Sequence, residues 1–299
     1  MTSDLVDVRA LRAFLVAHAV PGLEEAEVLD DGGTRHHRFV DVEGDRVALA
    51  VTLPAHDVGT PWFTADGPAD AVPSAVAAGR RWVGLDDDRE RGASALADDP
   101  VLGPLVRARP HLRVPGSTDP FETAVLVVLG QHVSLAAGRV LAARLVAAHG
   151  TRVEVPGGCS GDDAGTRPRV LRTFPEPVTL AALDADDLRR TVGTTGARAR
   201  TVVSLARAVT GGDLTLTDPT TTRHGLLALP GVGPWTADLV ALRALRDPDV
   251  FLPGDLVLRR ALGGVTAKEA ARLADAWRPH RSLAVLHLWT HHAIDPPAP

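Results

Sequence analysis

The sequence predicts an α+β fold that is mainly helical, with an N-terminal antiparallel-sheet domain followed by helical domains. Residues 35–53 alternate between apolar and polar side chains around the break Glu43-Gly44-Asp45, which is typical of a β-hairpin. From about residue 96 onward, helix-like segments are separated by short loops that contain Gly or Pro. The length of 299 residues is enough for one to three domains.

The N-terminal part is expected to carry helices on both sides of this hairpin. Residues 9–20 have the apolar spacing of a short amphipathic helix, and residues 73–83 are expected to form another. The acidic stretch 85–100 is expected to be partly helical. We therefore assign an N-terminal α+β domain to residues 1–95.

The helical part contains a long segment, residues 119–149. Asp119 is a favourable N-cap, Pro120 suits the first helical position, and Gly150 ends the segment. Further helices are expected at residues 178–192, 196–211, 219–228, 234–246, 255–262, 266–278 and 280–291.

Residues 151–175 interrupt these helices and are expected to be a loop insertion. They are rich in Gly, Pro, Asp and Arg without periodicity, and they contain Cys159. We expect two helical domains around this insertion. One comprises residues 119–246, and the other combines residues 96–118 with residues 247–292.

The composition excludes several classes of protein. Hydrophobic residues make up 45% of the chain and charged residues 23%, as in globular proteins, so the chain is not disordered. The single cysteine excludes an internal disulfide framework and a Cys-ligated zinc or iron–sulfur site. The N-terminus lacks the basic region of a secretory signal peptide. No apolar run is as long as the ~18 residues that a membrane-spanning helix needs. We therefore expect a cytoplasmic protein with no membrane partner.

The charge is unevenly distributed along the chain. The formal net charge of −5 argues mildly against a nucleic-acid partner. Residues 1–188 carry 18 basic and 28 acidic side chains, a net charge of −10, whereas residues 189–299 carry 14 and 9, a net charge of +5. The C-terminal third is therefore the candidate for an anionic partner, although many domains scatter by this much.

The most informative pattern lies in residues 226–243. A Pro-Gly-Val-Gly turn at residues 230–233 separates two helix-like stretches, and Pro234 suits the first position of the second helix. Gly231 and Gly233 let the backbone approach a partner closely, and the free N–H groups at the helix start suit a phosphate. A plain turn between helices is the alternative.

Two sequence stretches resemble a known family. Residues 229–237, Leu-Pro-Gly-Val-Gly-Pro-Trp-Thr-Ala, resemble the hairpin of the helix–hairpin–helix DNA base-excision glycosylases. Residues 251–255, Phe-Leu-Pro-Gly-Asp, are similar to the alkylpurine subgroup, the AlkA-like 3-methyladenine DNA glycosylases of type II. Residues 108–116 and 277–289 extend the resemblance. It is strong over residues 108–292 except the insertion at 151–175, and weak over residues 9–95, where only the order of helix and hairpin matches.

The resemblance implies that Asp255 is the catalytic carboxylate, because the family places its aspartate at about this distance after the hairpin. On local evidence alone Asp255 is an ordinary N-cap after a Pro-Gly turn. Breaking an N-glycosidic bond develops positive charge on the deoxyribose, which a carboxylate stabilises. The same group can orient or deprotonate the attacking water.

The resemblance also implies a monofunctional enzyme with water as the nucleophile. Bifunctional members place a lysine where this chain has Trp235, and the single lysine, Lys268, lies on a different predicted helix. No cofactor is expected to be required. A structural monovalent cation, Na⁺ or K⁺, is expected on the hairpin carbonyls of Leu227, Leu229 and Val232. The DNA-binding residues implied for the hairpin are Gly231, Val232, Gly233 and Thr236.

An enzyme of this family acts on a base that is flipped out of the duplex. The resemblance implies a pocket for that base lined by Trp235, Trp289 and Phe14. Leu239 and Leu256 complete it, at positions where a relative carries tyrosines. Indole faces attract a cationic alkylated purine. Core packing is the alternative role for the tryptophans.

Residues 128–134, Val-Leu-Gly-Gln-His-Val-Ser, resemble the family stretch that fills the gap left by the flipped base. Gln131 and His132 lie at an expected helix break, and His132 aligns with the intercalating residue. The alternative is a buried polar pair that holds two helices together.

We therefore expect a monomeric, nucleoid-associated DNA-3-methyladenine glycosylase that acts on double-stranded DNA containing a damaged base. The alternatives are a non-catalytic helix–hairpin–helix DNA-binding protein and a glycosylase for another lesion, such as hypoxanthine, uracil or an oxidised purine. Asp255 favours an enzyme, because a carboxylate beside the phosphodiester backbone would only repel DNA in a pure binding protein.

Overall fold

The computed structural model describes residues 4–86, 89–155 and 169–294, and it shows the predicted α+β fold. The strands are β1 (Val6–Asp7), β2 (Glu24–Val28), β3 (Thr34–Val42), β4 (Asp45–Leu53), β5 (Val58–Gly59), β6 (Trp62–Asp66), β7 (Arg152–Val155) and β8 (Arg169–Arg172). The helices are α1 (Val8–His18), α2 (Val72–Trp82), α3 (Arg89–Leu96), α4 (Leu102–Ala108), α5 (Pro120–Gly130), α6 (Leu135–His149), α7 (Pro177–Ala181), α8 (Ala185–Val192), α9 (Gly196–Thr210), α10 (Pro219–Leu227), α11 (Pro234–Ala244), α12 (Leu256–Ala261), α13 (Ala267–Ala274) and α14 (Arg281–Ile294), with a 3₁₀ turn at Asp275–Trp277. Within these described ranges, no helix is long and apolar enough to cross a membrane.

The N-terminal sheet is antiparallel in the order β2-β3-β4-β6. The predicted hairpin is confirmed as β3 and β4, with Thr34 opposite Leu53 at one end. Glu43 and Gly44 form its turn with φ of 53° and 92°, the left-handed conformation that tight hairpins require. Strands β1 and β5 pair separately.

The core of the N-terminal part lies between the sheet and its helices. Leu11 and Leu15 of α1 pack with Val51 of β4 and Trp82 of α2 in one buried cluster. Helix α1 starts where Asp7 accepts the backbone N–H of Ala10.

A buried ion cluster joins this sheet to the helical part. The guanidinium of Arg38 on β3 lies 3.0 Å from the carboxylate of Glu24 and 2.6 Å from that of Glu122 on α5. It also lies 5.3 Å from the ring of Trp82. Burial raises the pKa of Glu24 to about 7 and raises the pKa of Glu122, while the charge of Arg38 opposes both shifts. Two buried carboxylates therefore share one cation.

The predicted helix 119–149 divides at residues 131–134, as the expected break indicated. Its second half, α6, starts where Ser134 accepts the N–H of Ala137. The predicted helix 178–192 also divides, into α7 and α8, which corrects the sequence interpretation. The cause is local, because the side chain of Asp184 accepts two backbone N–H groups and starts a new helix.

The expectation of a loop at residues 151–175 is wrong for its two ends. Strands β7 and β8 form an antiparallel ribbon in which Val153 pairs with Leu171, and Leu171 is buried. Burial of that apolar residue explains the strands. Residues 156–168, which include Cys159, lie outside the described residues.

Helix α11 lies between two helical cores. Ala237 and Val240 belong to a cluster with residues of α5, α6 and α9. Ala241 and Leu242 belong to a second cluster with residues of α4, α12 and α14. The start of α11 is thereby held at the junction of the two cores. The domain boundaries at residues 95, 118 and 246 stay predictions.

Candidate active site

Asp255 is fixed at the start of α12, directly after the Pro253-Gly254 turn. Its Oδ1 accepts the backbone N–H groups of Val257 and Leu258, each at 3.0 Å. The local interpretation of Asp255 as an N-cap is therefore correct. Capping orients the carboxylate without excluding a catalytic role.

Both predicted pocket tryptophans point their indole N–H groups at this carboxylate. Trp235 Nε1 lies 3.4 Å from Asp255 Oδ2, and Trp289 Nε1 lies 3.2 Å from Oδ1. Trp235 is the second residue of α11, and Trp289 lies on α14, so three helices meet at this point. The structure thus brings together three residues that sequence reasoning selected from separate stretches.

The two oxygens of Asp255 differ in their surroundings. Oδ1 accepts three N–H groups, whereas Oδ2 receives only the longer contact from Trp235 among the described residues. Asp255 itself is partly exposed. Oδ2 is therefore the oxygen that is available to a substrate or a water molecule.

Exposed and half-buried side chains surround the carboxylate. Trp235 is 36% exposed and Leu256 is 60% exposed, so both present apolar surface to solvent beside Asp255. Leu239, one turn after Trp235 on α11, and Trp289 both pack partly against the second helical core. Trp289 is therefore partly a core residue, whereas Trp235 contributes little to the core.

Phe14 lies on α1, and its ring contacts α11 near the end of that helix, away from Trp235. Its ring stacks on His18 at a centroid distance of 3.9 Å, and the guanidinium of Arg243 lies 4.1 Å from its centroid. Arg243 follows Trp235 by two helical turns, which is ~12 Å along α11. No described hydrogen bond or ring contact joins Phe14 to Asp255 or to either tryptophan.

Burial changes the protonation of the two groups beside Phe14. It lowers the pKa of Arg243 to about 9 and the pKa of His18 to about 4. The charge of Arg243 lowers the pKa of His18 further. His18 is therefore neutral at physiological pH, so the stack carries one positive charge.

The hairpin turn, residues 230–233, has one glycine that packing requires and one that it does not. Gly231 has φ of +86°, and a Cβ there would lie 2.2 Å from Thr201 Oγ1. A Cβ on Gly233 would meet no atom within 4 Å. Gly233 is the N-cap of α11 and offers no side chain to its first N–H groups, which remain available to an anion.

Two other predicted hairpin residues have buried side chains. Val232 is 8% exposed and Thr236 is 4% exposed. They can therefore meet a partner only through their backbone. The carbonyl of Leu229 accepts the N–H of Val232 at 3.1 Å, which leaves it one further lone pair. Carbonyl oxygens are the ligands that hard cations prefer.

The wedge loop, residues 131–134, carries a strained residue at its tip. His132 is exposed and has φ of +55°, a conformation that costs a non-glycine residue about 1–2 kcal/mol. Non-glycine residues in this region of backbone space concentrate at functional sites. The predicted wedge residue is therefore displayed on the surface.

Gln131 points toward the hairpin rather than outward. Its Nε2 donates to the carbonyl of Gly231 at 3.2 Å and to Thr236 Oγ1 at 2.9 Å. The alternative of a polar residue that holds two elements together therefore describes Gln131 well. Its neighbour His132 does not share this role.

Sequence reasoning missed Arg198 and Thr201 of α9. Arg198 donates to the carbonyl of Gln131, and the hydroxyl of Thr201 donates to the carbonyl of Pro230 at 2.9 Å. Bonds to distant carbonyls leave no periodic signal in a sequence. Only the clustering of arginines at the start of α9 could have drawn attention to this segment.

Comparison with known proteins gives relatives over most of the chain. The family model for the AlkA N-terminal domain matches residues 5–119. A protein of Mycobacterium tuberculosis, described as a probable bifunctional transcriptional activator/DNA repair enzyme AlkA, is 38% identical over 283 residues. That match covers 92% of this chain and 53% of the relative, so the chain spans about half the relative's length.

Two further proteins are similar. DNA-3-methyladenine glycosylase 2 of Escherichia coli is 39% identical over 192 residues, which cover 63% of this chain and 64% of that protein. The solved structure of a 3-methyladenine DNA-glycosylase from Archaeoglobus fulgidus matches with a TM-score of 0.79 at 20% identity. That match covers 98% of this chain and 97% of the other, and it shows that the fold is shared.

Proposed function

The chain belongs to the AlkA-like helix–hairpin–helix DNA glycosylases, and we propose that it hydrolyses the N-glycosidic bond of alkylated purines in double-stranded DNA. The observation that carries this proposal is the convergence of two indole N–H groups on the carboxylate of Asp255. A protein that only bound DNA would gain nothing from an accessible carboxylate at this point, because it repels phosphates.

Asp255 stabilises the charge that develops when the base departs. The bond from C1′ to the base nitrogen breaks, and its electron pair leaves with the base. The positive charge on the sugar is met by Oδ2, since Oδ1 is already occupied by three N–H groups. Water then adds to C1′, and its proton passes to Asp255 or to solvent. A purine that already carries a positive charge leaves as a neutral base without a general acid.

The flipped base is held by the exposed aromatic surface beside Asp255. Stacking of a cationic purine on an indole is worth about 0.5–2 kcal/mol, the larger value when water is excluded. Trp235 is exposed enough to offer its ring, and Leu256 adds an apolar wall. Leu239 would line the side of this surface toward Arg243, and Phe14 would lie beyond it, beside Arg243.

Water, and not an amine of the protein, is the nucleophile. Trp235 occupies the position after the hairpin glycines at which a bifunctional enzyme carries lysine. The single lysine, Lys268, is exposed on α13 and lines a separate groove with Asp238 and Asp275. No Schiff base with the sugar is therefore expected.

The hairpin holds a backbone phosphate beside the lesion. The unpaired N–H groups at the start of α11 and the positive end of its dipole favour an anion there. The carbonyls of Leu227, Leu229 and Val232 would hold a Na⁺ or K⁺ ion, which would add positive charge near the phosphate. The oxygen donors suit such an ion, and the protein needs no other cofactor in this proposal.

His132 enters the duplex where the nucleotide has left it. Its exposure and its left-handed backbone support this role. The protein acts as a monomer on chromosomal DNA in the cytoplasm. Because the C-terminal third carries a net charge of +5, we expect moderate and salt-sensitive affinity for undamaged DNA.

Release of free bases from alkylated DNA tests the proposal, with the bases identified by chromatography. Wild type is expected to release 3-methyladenine, and Asp255→Asn to do so about 10²–10⁴-fold more slowly. Asparagine is also a good N-cap, so the variant keeps its fold and binds DNA with an abasic site. Near-normal release by Asp255→Asn would refute the mechanism. Binding without release by wild type would favour a DNA-binding protein, and release of hypoxanthine or uracil alone would favour another lesion.

A further inference from the structure

Helix α9 is hydrogen-bonded to both loops that the proposed function brings to DNA. Arg198 donates a guanidinium N–H to the carbonyl of Gln131 in the wedge loop. Thr201 lies one helical turn later on the same face, and its hydroxyl is within hydrogen-bond distance of two carbonyls, that of Pro230 in the hairpin turn and that of Ala197 in α9. One rigid helix therefore contacts the wedge loop and the hairpin turn at neighbouring points.

Gln131 connects the two loops directly. Its side-chain amide donates to the carbonyl of Gly231 and to the hydroxyl oxygen of Thr236, which is buried at the start of α11. Gln131 and Gly231 are 100 residues apart in the chain. Their spacing thus depends on noncovalent contacts, namely these bonds and the shared core of α5, α9 and α11, and not on nearness in the chain. Helix α9, the wedge loop and the hairpin turn form a closed hydrogen-bonded triangle.

The wedge loop needs this support because its tip is strained. His132 holds a left-handed conformation that it would leave if the loop were free. A wedge is productive only if it reaches the duplex at a fixed distance from the phosphate that the hairpin holds. The hydrogen bonds to the carbonyls of Gln131, Gly231 and Pro230 help to fix that distance before DNA binds.

We propose that Arg198 is a positioning residue that holds the His132 wedge in register with the phosphate-binding hairpin. This inference rests on the proposed function. Arg198 acts through the backbone of Gln131, so its charge is used inside the protein and not on a phosphate. Arg200, two residues later, is exposed and makes no hydrogen bond to the part of the chain that the structure describes. It provides a matched control for loss of charge.

Fluorescence of 2-aminopurine measures the wedge directly. The probe is placed opposite an abasic-site analogue in a duplex, where insertion of a wedge unstacks it. Wild type and Arg200→Ala, both at saturating concentration, are expected to raise the fluorescence equally. Arg198→Ala is expected to bind without this rise, and Arg198→Lys, which keeps one donor for the carbonyl, to restore part of it.

Base release is a second measurement, and comparing duplex with single-stranded DNA controls for general loss of structure. Arg198→Ala is expected to lose about ten- to a hundredfold in kcat/KM on duplex DNA, the equivalent of one hydrogen bond to a charged group. Single-stranded DNA needs no wedge, so release from it should change little. A variant that was merely unfolded would lose both activities, and a thermal melt checks this.

The outcomes separate this inference from the proposed function. Equal fluorescence for Arg198→Ala and wild type at saturation, or equal losses for Arg198→Ala and Arg200→Ala on duplex DNA, would overturn the positioning role. A wild-type protein that unstacks the probe but releases no base would contradict the proposed function, while loss of the fluorescence rise in Arg198→Ala alone would still support the positioning role.

Discussion

Trp289 donates its indole N–H to Oδ1 of Asp255, the same oxygen that caps α12. The carboxylate is therefore held from two sides, by the backbone of its own helix and by a residue 34 positions away on α14. Such bonds restrict rotation of the carboxylate and direct Oδ2 toward the open side of the site. Trp289 thus orients the carboxylate, in addition to the stacking role that we propose for its ring.

Replacing Trp289 with phenylalanine separates these two functions. Trp289→Phe keeps an aromatic ring but removes the donor, so kcat is expected to fall about tenfold, as for loss of one hydrogen bond to a charged group. KM for alkylated DNA should change less. Steady-state kinetics on a defined lesion duplex measures both.

Trp277 offers a matched control for this substitution. Its indole N–H donates to the carboxylate of Asp99 at 2.8 Å, in the core and away from Asp255. Trp277→Phe is expected to lower thermal stability and to leave kcat unchanged. If Trp289→Phe behaved in the same way as Trp277→Phe, the orienting role of Trp289 would be wrong.

Borohydride trapping tests the identity of the nucleophile. A Schiff base between a lysine and the sugar would be reduced to a covalent protein–DNA adduct. Wild type is expected to form none, and Lys268→Ala is expected to keep full activity, because Lys268 lies on α13 beside a separate groove. A trapped adduct on denaturing gels would show that an amine attacks the sugar.

Alanine substitutions at the two glycines of the hairpin turn are expected to impair different properties, namely stability at Gly231 and DNA binding at Gly233. Gly231→Ala must place a Cβ against Thr201 Oγ1 in a left-handed conformation, so it should lower the free energy of unfolding by about 1–3 kcal/mol. Gly233→Ala has room for its Cβ and should melt like wild type.

The added methyl group of Gly233→Ala would instead stand where a phosphate approaches the N–H groups of α11. Affinity for duplex DNA is therefore expected to fall several-fold without loss of stability. Thermal melts and binding isotherms on the two variants distinguish these effects. Normal DNA binding by a stable Gly233→Ala protein would argue against close approach of a phosphate at this turn.

Local patterns in the sequence predicted much of the fold, because their causes are local. The alternation of residues 35–53 predicted the pair of central strands, and caps such as Asp119 and Asp255 predicted helix starts. Strand β2, Glu-Glu-Ala-Glu-Val, was not predicted because it lies at the sheet edge with mostly polar or exposed side chains. Burial along β2 does not alternate from one residue to the next, so the strand lacks the period of two that identifies strands in a sequence.

Only those residues of the candidate site that lie in short family-like stretches could be predicted from the sequence. Asp255, Trp235 and Trp289 each lie in a stretch that resembles the family, and the structure places them in contact. The position of Phe14 and the role of Arg198 depend on contacts between distant segments. Contacts between distant segments produce no periodic pattern in the sequence, so they could not be predicted from it.

The cluster of Arg38, Glu24 and Glu122 is expected to make stability depend on pH. Burial raises the pKa of Glu24 from 4.5 to about 7 in the folded protein. Between these values the folded state holds a proton that the unfolded state has lost. The stabilisation is therefore fully present below about pH 4.5, and it is lost as the pH rises through about 7, with a slope of up to about 1.4 kcal/mol per pH unit.

Substitutions in this cluster test that sign. Glu24→Gln cannot titrate, so its free energy of unfolding should fall less than that of wild type between pH 5 and pH 8. Glu25→Gln removes the same charge from an exposed position on the same strand and should keep the wild-type slope. Arg38→Met leaves two buried carboxylates without their cation and should cost about 3–5 kcal/mol at pH 8. The cost should be smaller at pH 5, where both carboxylates hold protons more readily. Urea unfolding at each pH measures these differences. If the free energy of unfolding of Glu24→Gln changed with pH as steeply as that of wild type, Glu24 would be charged throughout this range.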